Sequence, residues 1–500
     1  MQILRRELLR GLGGLAACTL AGCAESSAGS DMGAILLDEP EFLHGVASGD
    51  PQPNAVMLWT RLTPSRTDAG PFRVQWEIAL DREFQSYVNY GEATAAADSD
   101  YTIKIDAGDL DPATTYYYRF IYESTASPIG RTRTAPEGSV DRLRFAVASC
   151  SSYAHGYFHG YRAIADRPDL DAIIHLGDYI YEYGSGEYGD VRPYDPPHEI
   201  LSLADYRRRY AQYRLDADLQ AVHRELPMIA VWDDHEIANN AFRSGAENHN
   251  PELGEGDYAD RKRAALTAYF EWMPIRDADD HQGFRHLAYG DLADLILLDT
   301  RSWGRDLQIA SQRDPEYVRS DRQLLGADQE AWLATIMRSS SARWRFIGQQ
   351  VMVGPLPLYF NPDDWRGYPA ARTRFLDILA EHAAKDTVVL TGDVHSSWAM
   401  NLVHESSDES VAVELVAPGI TSPGLDERSA EPLHAMLLAE PHVEYVQLWR
   451  RGYMLLDIDH DRVRATFHHY DAVEAMDAPP ERLAATCTTY AGDHHVSLES

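Results

Sequence analysis

Apolar residues follow two different rhythms along this chain. Between residues 40 and 136, short runs such as Phe72–Ala79 alternate apolar and polar positions, and Gly, Pro and Asp separate one run from the next. A period of two is typical of strands with one buried face, so this stretch is predicted to be an all-β domain. Between residues 141 and 471, apolar runs alternate with stretches of helical spacing such as 204–223 and 258–272. We predict a layered α/β domain there, because strands that alternate with helices form such layers.

The two ends of the chain differ from these domains in composition. Residues 1–22 contain Arg5-Arg6 ahead of a short apolar run, as in twin-arginine export signals, and that run is too short to span a bilayer. It ends in Leu20-Ala-Gly-Cys23, which resembles the lipobox of bacterial lipoproteins. We expect twin-arginine export to the periplasm or cell surface, with a lipid on Cys23 as the membrane anchor; an ordinary cleaved signal is the alternative. Residues 23–39 have the composition of a linker, and residues 472–500 that of a polar tail.

Five apolar runs of the predicted α/β domain end in side chains that can contact a metal ion or its substrate. These side chains are Cys150, Asp178, Asp233 with Asp234 and His235, Gln350, and Asp393 with His395. Ligand sites in open α/β sheets lie just beyond the carboxyl ends of the strands. We therefore predict that these residues form the rim of one metal-centred pocket.

Three short motifs supply the chemistry of this predicted pocket. In Gly177-Asp178-Tyr-Ile-Tyr181, the Gly lets the backbone approach a metal, Asp178 has two oxygens that can bridge two cations, and Tyr181 can turn back as a phenolate. In Gly392-Asp393-Val-His395, the carboxylate suits a hard cation and the imidazole a transition metal. The segment 232–240 presents carboxylates, an imidazole and amides together.

Charge and cysteine content narrow the picture further. The formal net charge of −33 argues against nucleic-acid binding, because phosphate backbones require a positive surface. The same charge repels a phosphate substrate at long range, so bound cations would have to reverse the potential locally. Beyond the predicted signal and the lipid-bearing Cys23, the cysteines are Cys150 and Cys487. We expect Cys150 to be a metal ligand, and a disulfide between the two is the alternative in an exported protein.

In their order and spacing these motifs resemble those of the PhoD-like alkaline phosphatases and phosphodiesterases, which have the calcineurin-like metallophosphatase fold. The resemblance also includes residues 42–51, Leu298-Asp-Thr-Arg301 and the Ser-Ser-Trp398 that follows His395. It implies a layered αββα metallophosphatase sandwich with an N-terminal all-β, fibronectin-like sandwich domain. Leu110-Asp-Pro112 with Tyr116 resembles the tyrosine corner of such sandwiches.

The resemblance further implies a pair of metals, Fe³⁺ and Ca²⁺. By motif position the iron ligands are Cys150, Asp178, Tyr181 and His395, and the calcium ligands are Asp178, Asn239 and Asp393. Thiolate, phenolate and imidazole suit Fe³⁺, whereas carboxylate and amide oxygens suit Ca²⁺. The third motif reads Asp-Asp-His where the wider fold has Gly-Asn-His, which leaves open whether Asp234 or Asn239 is the ligand; we favour Asn239.

The predicted function is an exported, metal-dependent phosphoesterase that hydrolyses phosphomonoesters or phosphodiesters by attack of a metal-bound oxygen nucleophile. His235, Asp234 and Arg301 are the predicted catalytic residues. His235 would contact the phosphate or protonate the leaving alkoxide, and Arg301 would contact phosphate or act as a clasp within the fold. Small-molecule, lipid and polymer phosphate esters are all candidate substrates. The alternative is a non-catalytic, calcium-stabilised lipoprotein that binds at the cell surface.

Overall fold

The computed structural model of the protein describes residues 37–65, 67–277, 282–356, 361–382 and 386–499. The predicted export signal and most of the predicted linker lie outside these ranges. Among the helices in the ranges given, none combines the length and apolar character needed to cross a membrane.

The strands are, in chain order, β1 Val46–Gly49, β2 Val56–Arg61, β3 Phe72–Ala79, β4 Tyr87–Ala95, β5 Thr102–Ala107, β6 Thr115–Tyr122, β7 Thr125–Ala126, β8 Gly130–Arg133, β9 Arg142–Ala148, β10 Ala172–His175, β11 Pro227–Ala230, β12 Arg285–Tyr289, β13 Ala293–Leu297, β14 Trp344–Gln349, β15 Asp386–Thr391, β16 Ser397–His404, β17 Glu409–Val416, β18 Val443–Gln447, β19 Arg451–Asp459, β20 Arg462–Tyr470, β21 Arg482–Tyr490 and β22 Val496–Leu498. The helices are α1 His159–Ala165, α2 Leu203–Arg214, α3 Ala217–Glu225, α4 Tyr258–Trp272, α5 Ala327–Ser339, α6 Pro369–Glu381 and α7 Glu427–Leu437.

Two large sheets form the centre of the molecule. One has ten strands in the order β22-β21-β20-β19-β9-β10-β11-β1-β2-β5, and the other has seven in the order β12-β13-β14-β15-β17-β16-β18. The run β9-β10-β11-β1 is parallel, and so is the run β13-β14-β15-β17. Because parallel strands share a direction, their carboxyl ends lie along one edge of each sheet.

The two sheets face each other, and helices cover their outer faces. Ile174 of β10 packs against the other sheet, whereas the preceding Ile173 packs against helices α1–α4. In β14, Phe346 faces the first sheet and Ile347 faces α5 and α6. Successive residues of a strand point to opposite faces, so a strand buried on both faces has a continuous apolar run. The predicted αββα sandwich is confirmed.

The N-terminal β-sandwich shares one of its sheets with the α/β domain. Its own sheet has the order β4-β3-β6-β7, with β8 paired to β6, and it packs against β1, β2 and β5 through apolar residues such as Val74, Phe120 and Leu58. The hydroxyl of Tyr116 accepts a hydrogen bond from the Asp111 amide at 2.8 Å, which is the tyrosine corner suggested by the sequence. Since β1 pairs in parallel with β11, the sandwich continues the ten-stranded sheet.

The structure differs from the sequence-based expectation in two places. The stretch 472–500, expected to be a polar tail, contributes β21 and β22 to the ten-stranded sheet. Its polar character comes from threonines such as Thr486 and Thr488, whose β-branched side chains suit strands and are buried here. The predicted helix 204–223 is two helices, because Asp216 accepts hydrogen bonds from the first amides of α3 and starts a new helix.

Candidate metal centre

The strand ends predicted from the sequence meet where the two large sheets face each other. Four of the residues there, Cys150, Asp178, Asp393 and His395, have left-handed backbone angles with φ between 55 and 61°. This conformation costs energy for a residue with a side chain, and it clusters at functional sites. The turns thus direct the side chains of Cys150, Asp178 and His395 back toward one another.

Within the described ranges, three overlapping groups of side chains can each hold a metal ion. They are Cys150 with Asp178 and His395, Asp178 with Asp234 and His235, and Asp233 with Asp234 and Asp393, and the ligand atoms of each group lie within 4.8 Å of one another. Asp178 belongs to the first two groups and Asp234 to the last two. The arrangement therefore suits more than one cation, with a shared carboxylate between neighbouring positions.

Tyr181 and the ring orientation of His395 complete the first group. The Tyr181 hydroxyl lies 2.8 Å from Asp178 Oδ2, 3.3 Å from His395 Nε2 and 2.6 Å from Ser422 Oγ. His395 Nδ1 donates to the Pro423 carbonyl oxygen at 3.2 Å, so Nε2 is the nitrogen that faces the cluster. Burial, together with the Asp178 carboxylate, raises the pKa of both Cys150 and Tyr181 well above their usual values. A cation would remove these protons on binding, because thiolate and phenolate are the ligand forms.

Buried oxygen atoms without hydrogen-bond partners are a second reason why this set of side chains suits metal ions. Asp178 Oδ1, Asp233 Oδ2 and Asn239 Oδ1 are buried and have no hydrogen-bond partner among the described residues. A buried acceptor without a partner costs about 1–3 kcal/mol. All three oxygens come from the strand-end turns that carry the groups described above, and a cation would satisfy them.

The two candidates for the open ligand position, Asp234 and Asn239, differ in their hydrogen bonds. Asp234 accepts backbone hydrogen bonds on both oxygens, from His235 at 3.0 Å and from Asn240 at 2.6 Å. Asn239 keeps its side-chain oxygen unpartnered while its Nδ2 donates to Glu247 at 3.4 Å. The free oxygen of Asn239 favours it as a ligand, with Asp234 beside it.

Arg301 is fully buried among the carboxylates of the cluster. Its guanidinium donates to Asp233, to Asp363 at 2.6 Å and to Asp393 at 2.9 Å, and it lies 3.7 Å from Asp234. These contacts commit all three nitrogens to the protein. The geometry favours the role of a clasp that holds Asp393 in place over direct contact with a substrate.

The structure also bears on Gln350 and on the possible disulfide. Gln350 accepts from the amide and hydroxyl of Thr300 and donates to the Leu298 carbonyl oxygen, so it joins strand ends. Cys150 and Cys487 are both buried and free, so the disulfide alternative is not formed.

Glu182 is a functional candidate that sequence reasoning missed. Its buried carboxylate lies 2.7 Å from His235 Nδ1 and accepts from the Asn239 amide at 2.7 Å. Burial alone would lower the pKa of His235, but the carboxylates of Asp234, Glu182 and Asp178 raise it well above the usual value. In the sequence, the only indication of a role for Glu182 is its position directly after Tyr181.

Glu236 is a second residue that was missed. It follows His235 in the third motif, and its buried carboxylate accepts hydrogen bonds from the backbone amides of Asp178, Tyr179 and Asp233. Burial and the Asp178 charge raise the pKa of Glu236 to about 8.

Comparisons with known proteins agree over almost the whole chain. Residues 145–467 match the family model of the PhoD-like phosphatases, and residues 27–136 match the model of the N-terminal domain of PhoD-like phosphatases. Alkaline phosphatase D of Bacillus subtilis (strain 168) is 37% identical over 483 residues, which cover 90% of this chain and 81% of that protein. A solved structure of PhoD has 35% sequence identity and a TM-score of 0.86, and the match covers 93% of each chain.

Replacing the shared carboxylate should empty the centre. In D178N, the neutral amide has one coordinating oxygen in place of two, and we expect metal content after purification to fall by at least about 100-fold, beyond the loss seen for residues that only support ligands. The matched control is D408N, because Asp408 has the same left-handed φ of 57° in an exposed loop. Elemental analysis of both variants is the measurement, and wild-type metal content in D178N would contradict the assignment.

Proposed function

The chain belongs to the PhoD-like phosphatase family, and we propose that its buried cluster holds Fe³⁺ and Ca²⁺ in an exported phosphoesterase. Family membership makes the protein a metal-dependent phosphoric ester hydrolase. One observation carries the choice of metals. Asp178, with a buried and unpartnered oxygen, groups with Cys150 and His395 on one side and with Asp234 and His235 on the other, and Asp234 in turn belongs to an all-carboxylate group with Asp233 and Asp393.

The two ligand sets differ in chemical hardness. Cys150, Tyr181 and His395 would hold the iron, because thiolate, phenolate and imidazole suit a transition metal. Asn239 and Asp393 would hold the calcium through oxygen atoms, and Asp178 would contribute to both. When bound, the cations would offset the charge on the phosphate oxygens and supply an activated water-derived nucleophile.

His235 is proposed to act on the leaving group. Its Nδ1 is taken by Glu182 at 2.7 Å, so Nε2 is the nitrogen left to deliver a proton to a departing alkoxide. The second carboxylate oxygen of Glu182 accepts from the Asn239 amide and from Asn248 Nδ2 at 2.9 Å, which fixes Glu182 itself. The alternative role of His235 is direct contact with the substrate phosphate.

Substrates reach this centre past the two loops 184–200 and 242–257. Tyr188 of the first loop lies beside Tyr181 and His235, with ring centroids 5.5 and 6.3 Å away. Asn248 of the second loop supports Glu182. We propose small-molecule phosphate esters as substrates, monoesters or diesters, and we include lipid or polymer phosphate esters because the chain is proposed to be anchored at a membrane.

Export and anchoring are proposed from the sequence of residues 1–39. Arg5-Arg6 supports recognition by the twin-arginine export machinery, residues 23–39 are the proposed linker, and Cys23 is the proposed site of the lipid. The proposed location is the periplasm or the cell surface.

The metal assignment predicts a coloured protein. We expect near-stoichiometric iron and calcium after purification without chelators, with a visible charge-transfer band that C150S and Y181F each weaken or shift. The control is C487S, because Cys487 is also a buried, free cysteine but lies in β21, outside the metal-ligand groups. Calcium alone, without colour, would contradict the iron assignment.

The role of His235 predicts a dependence on the leaving group. For an alkyl phosphate ester we expect H235Q to lower kcat/KM by about 10²- to 10⁴-fold, and for a p-nitrophenyl ester by much less, because a good leaving group needs no proton. E182Q should show the same pattern with a smaller loss. The control H198Q changes an exposed histidine of loop 184–200. Equal losses for both esters would assign His235 to phosphate contact.

The proposed lipid on Cys23 predicts that the protein sediments with the membrane fraction and that loss of this cysteine releases it. We expect the wild-type protein to sediment with membranes and C23S to be soluble, because the lipid attaches through this sulfur. C18S, which changes a cysteine of the same apolar run, should still sediment. Sedimentation of C23S with membranes would contradict attachment through Cys23, and a wild-type protein that stays soluble would favour the ordinary cleaved signal.

A further inference from the structure

The carboxylate of Glu236 joins two segments of the metal centre. Its Oε1 accepts from the Tyr179 amide at 2.7 Å, and its Oε2 accepts from the Asp178 amide at 3.1 Å and the Asp233 amide at 2.8 Å. Glu236 is fully buried. Both oxygens are thus occupied by backbone N–H groups that belong to two different strand-end turns.

These two turns carry most of the ligand candidates. The turn after β10 presents Asp178 and Tyr181, and the turn after β11 presents Asp233, Asp234 and, further along, Asn239. Glu236 itself belongs to none of the metal-ligand groups among the described residues. It therefore acts on the centre through the backbone of these turns.

The turns after β10 and β11 are in direct contact. A change at Glu236, which bonds to both, would therefore alter the distance between them. A Cβ atom placed on Gly177 would lie 2.4 Å from the Asp233 Cβ and 2.6 Å from its amide nitrogen. Asp178, the next residue, has the left-handed φ of 56°. Such a backbone conformation persists only when its surroundings hold it, and the hydrogen bond from the Asp178 amide to Glu236 is one such restraint.

We propose that Glu236 is a positioning residue, which fixes the distance between Asp178 and the Asp233–Asn239 segment and thereby sets the affinity for the cation that both contact. The inference rests on the proposed function, in which that cation is calcium. Iron should depend less on Glu236, because Glu236 contacts the turn of only two of its four proposed ligands, Asp178 and Tyr181, whereas Cys150 and His395 come from other turns. Cys150 follows β9, and its backbone N–H donates a hydrogen bond to the Gly177 carbonyl oxygen. His395 follows β15, and its Nδ1 donates to the Pro423 carbonyl oxygen.

The variant E236Q tests this role with little change in shape. Replacing one carboxylate oxygen with an NH₂ group leaves at least one of the three backbone amides facing a donor. The matched control is E414Q. Glu414 is also a fully buried carboxylate, and it accepts from the amides of Val353 and Gly354 at 2.9 and 2.7 Å and from the Thr391 hydroxyl at 2.7 Å.

Calcium affinity is the first measurement. Titration calorimetry with calcium chloride on chelator-treated protein should show E236Q binding about 10- to 100-fold more weakly than wild type, as for other residues that support metal ligands. E414Q should bind calcium within about twofold of wild type, because Glu414 contacts neither of the two turns that Glu236 joins. The visible band proposed for iron should persist in both variants. Wild-type calcium affinity in folded E236Q would overturn the proposal.

Hydrogen exchange separates this inference from the identity of the metal. Peptides that cover residues 176–181 and 232–236 should exchange faster in E236Q than in wild type and remain protected in E414Q, whichever cation is bound. Equal exchange in E236Q and wild type would overturn the positioning role. If wild-type protein binds no calcium, the calcium assignment under the proposed function is wrong, and exchange alone decides the role of Glu236. If E236Q does not fold, E236D takes its place with the same expectations, because its shorter carboxylate cannot reach all three amides.

Discussion

Repulsion among carboxyl groups at the junction of the two large sheets is the constraint on which the rest of this structure depends. Asp178, Asp233, Asp234 and Asp393 approach one another closely enough to share ligand positions. Burial and the neighbouring carboxylates raise the pKa of Asp393 to about 8 although Arg301 opposes the rise. Arg301 alone does not balance this much negative charge, so the site calls for further positive charge. Metal ions supply it, and the charge that would repel a phosphate ester becomes the means of binding one.

The fold holds these groups together through backbone geometry. Parallel strands bring the carboxyl ends of β9, β10, β11 and β15 to facing edges of the two sheets. Left-handed turns carry the candidate ligands Cys150, Asp178, Asp393 and His395, and buried acids outside the candidate ligand groups hold neighbouring groups in place. Glu182 contacts the imidazole of His235, and Glu236 accepts hydrogen bonds from the turns after β10 and β11. Buried carboxylates thus have two separate tasks at this site, ligation and support, and the hydrogen-bond partners distinguish them.

Much of this arrangement could be predicted from the sequence, and the exceptions have physical causes. Strands that are buried on both faces can be recognised in the sequence as continuous apolar runs. The candidate ligands at the ends of these runs indicate where the metal centre lies. Glu182 and Glu236 were missed because a lone acid beside a motif shows no sign of its backbone partners, which come from distant turns. Strand β21 was missed because its buried residues, 485–489, are an alanine, a cysteine and three threonines in place of large aliphatic residues. The pairing of β1 with β11 was missed because about 180 residues separate the two strands, as their bounds show.

That last pairing has a consequence for how this protein can vary. An appended domain with its own closed core can be gained, lost or exchanged by recombination at its linker. Here the hydrogen bonds of one sheet run without interruption from β5, in the N-terminal sandwich, to β22, near the end of the chain. Cutting between the sandwich and the α/β domain would expose the amide and carbonyl groups along the edge of β11, next to the turn that carries the metal ligands. The sandwich is therefore inherited with the catalytic centre, and the two must diverge as one unit.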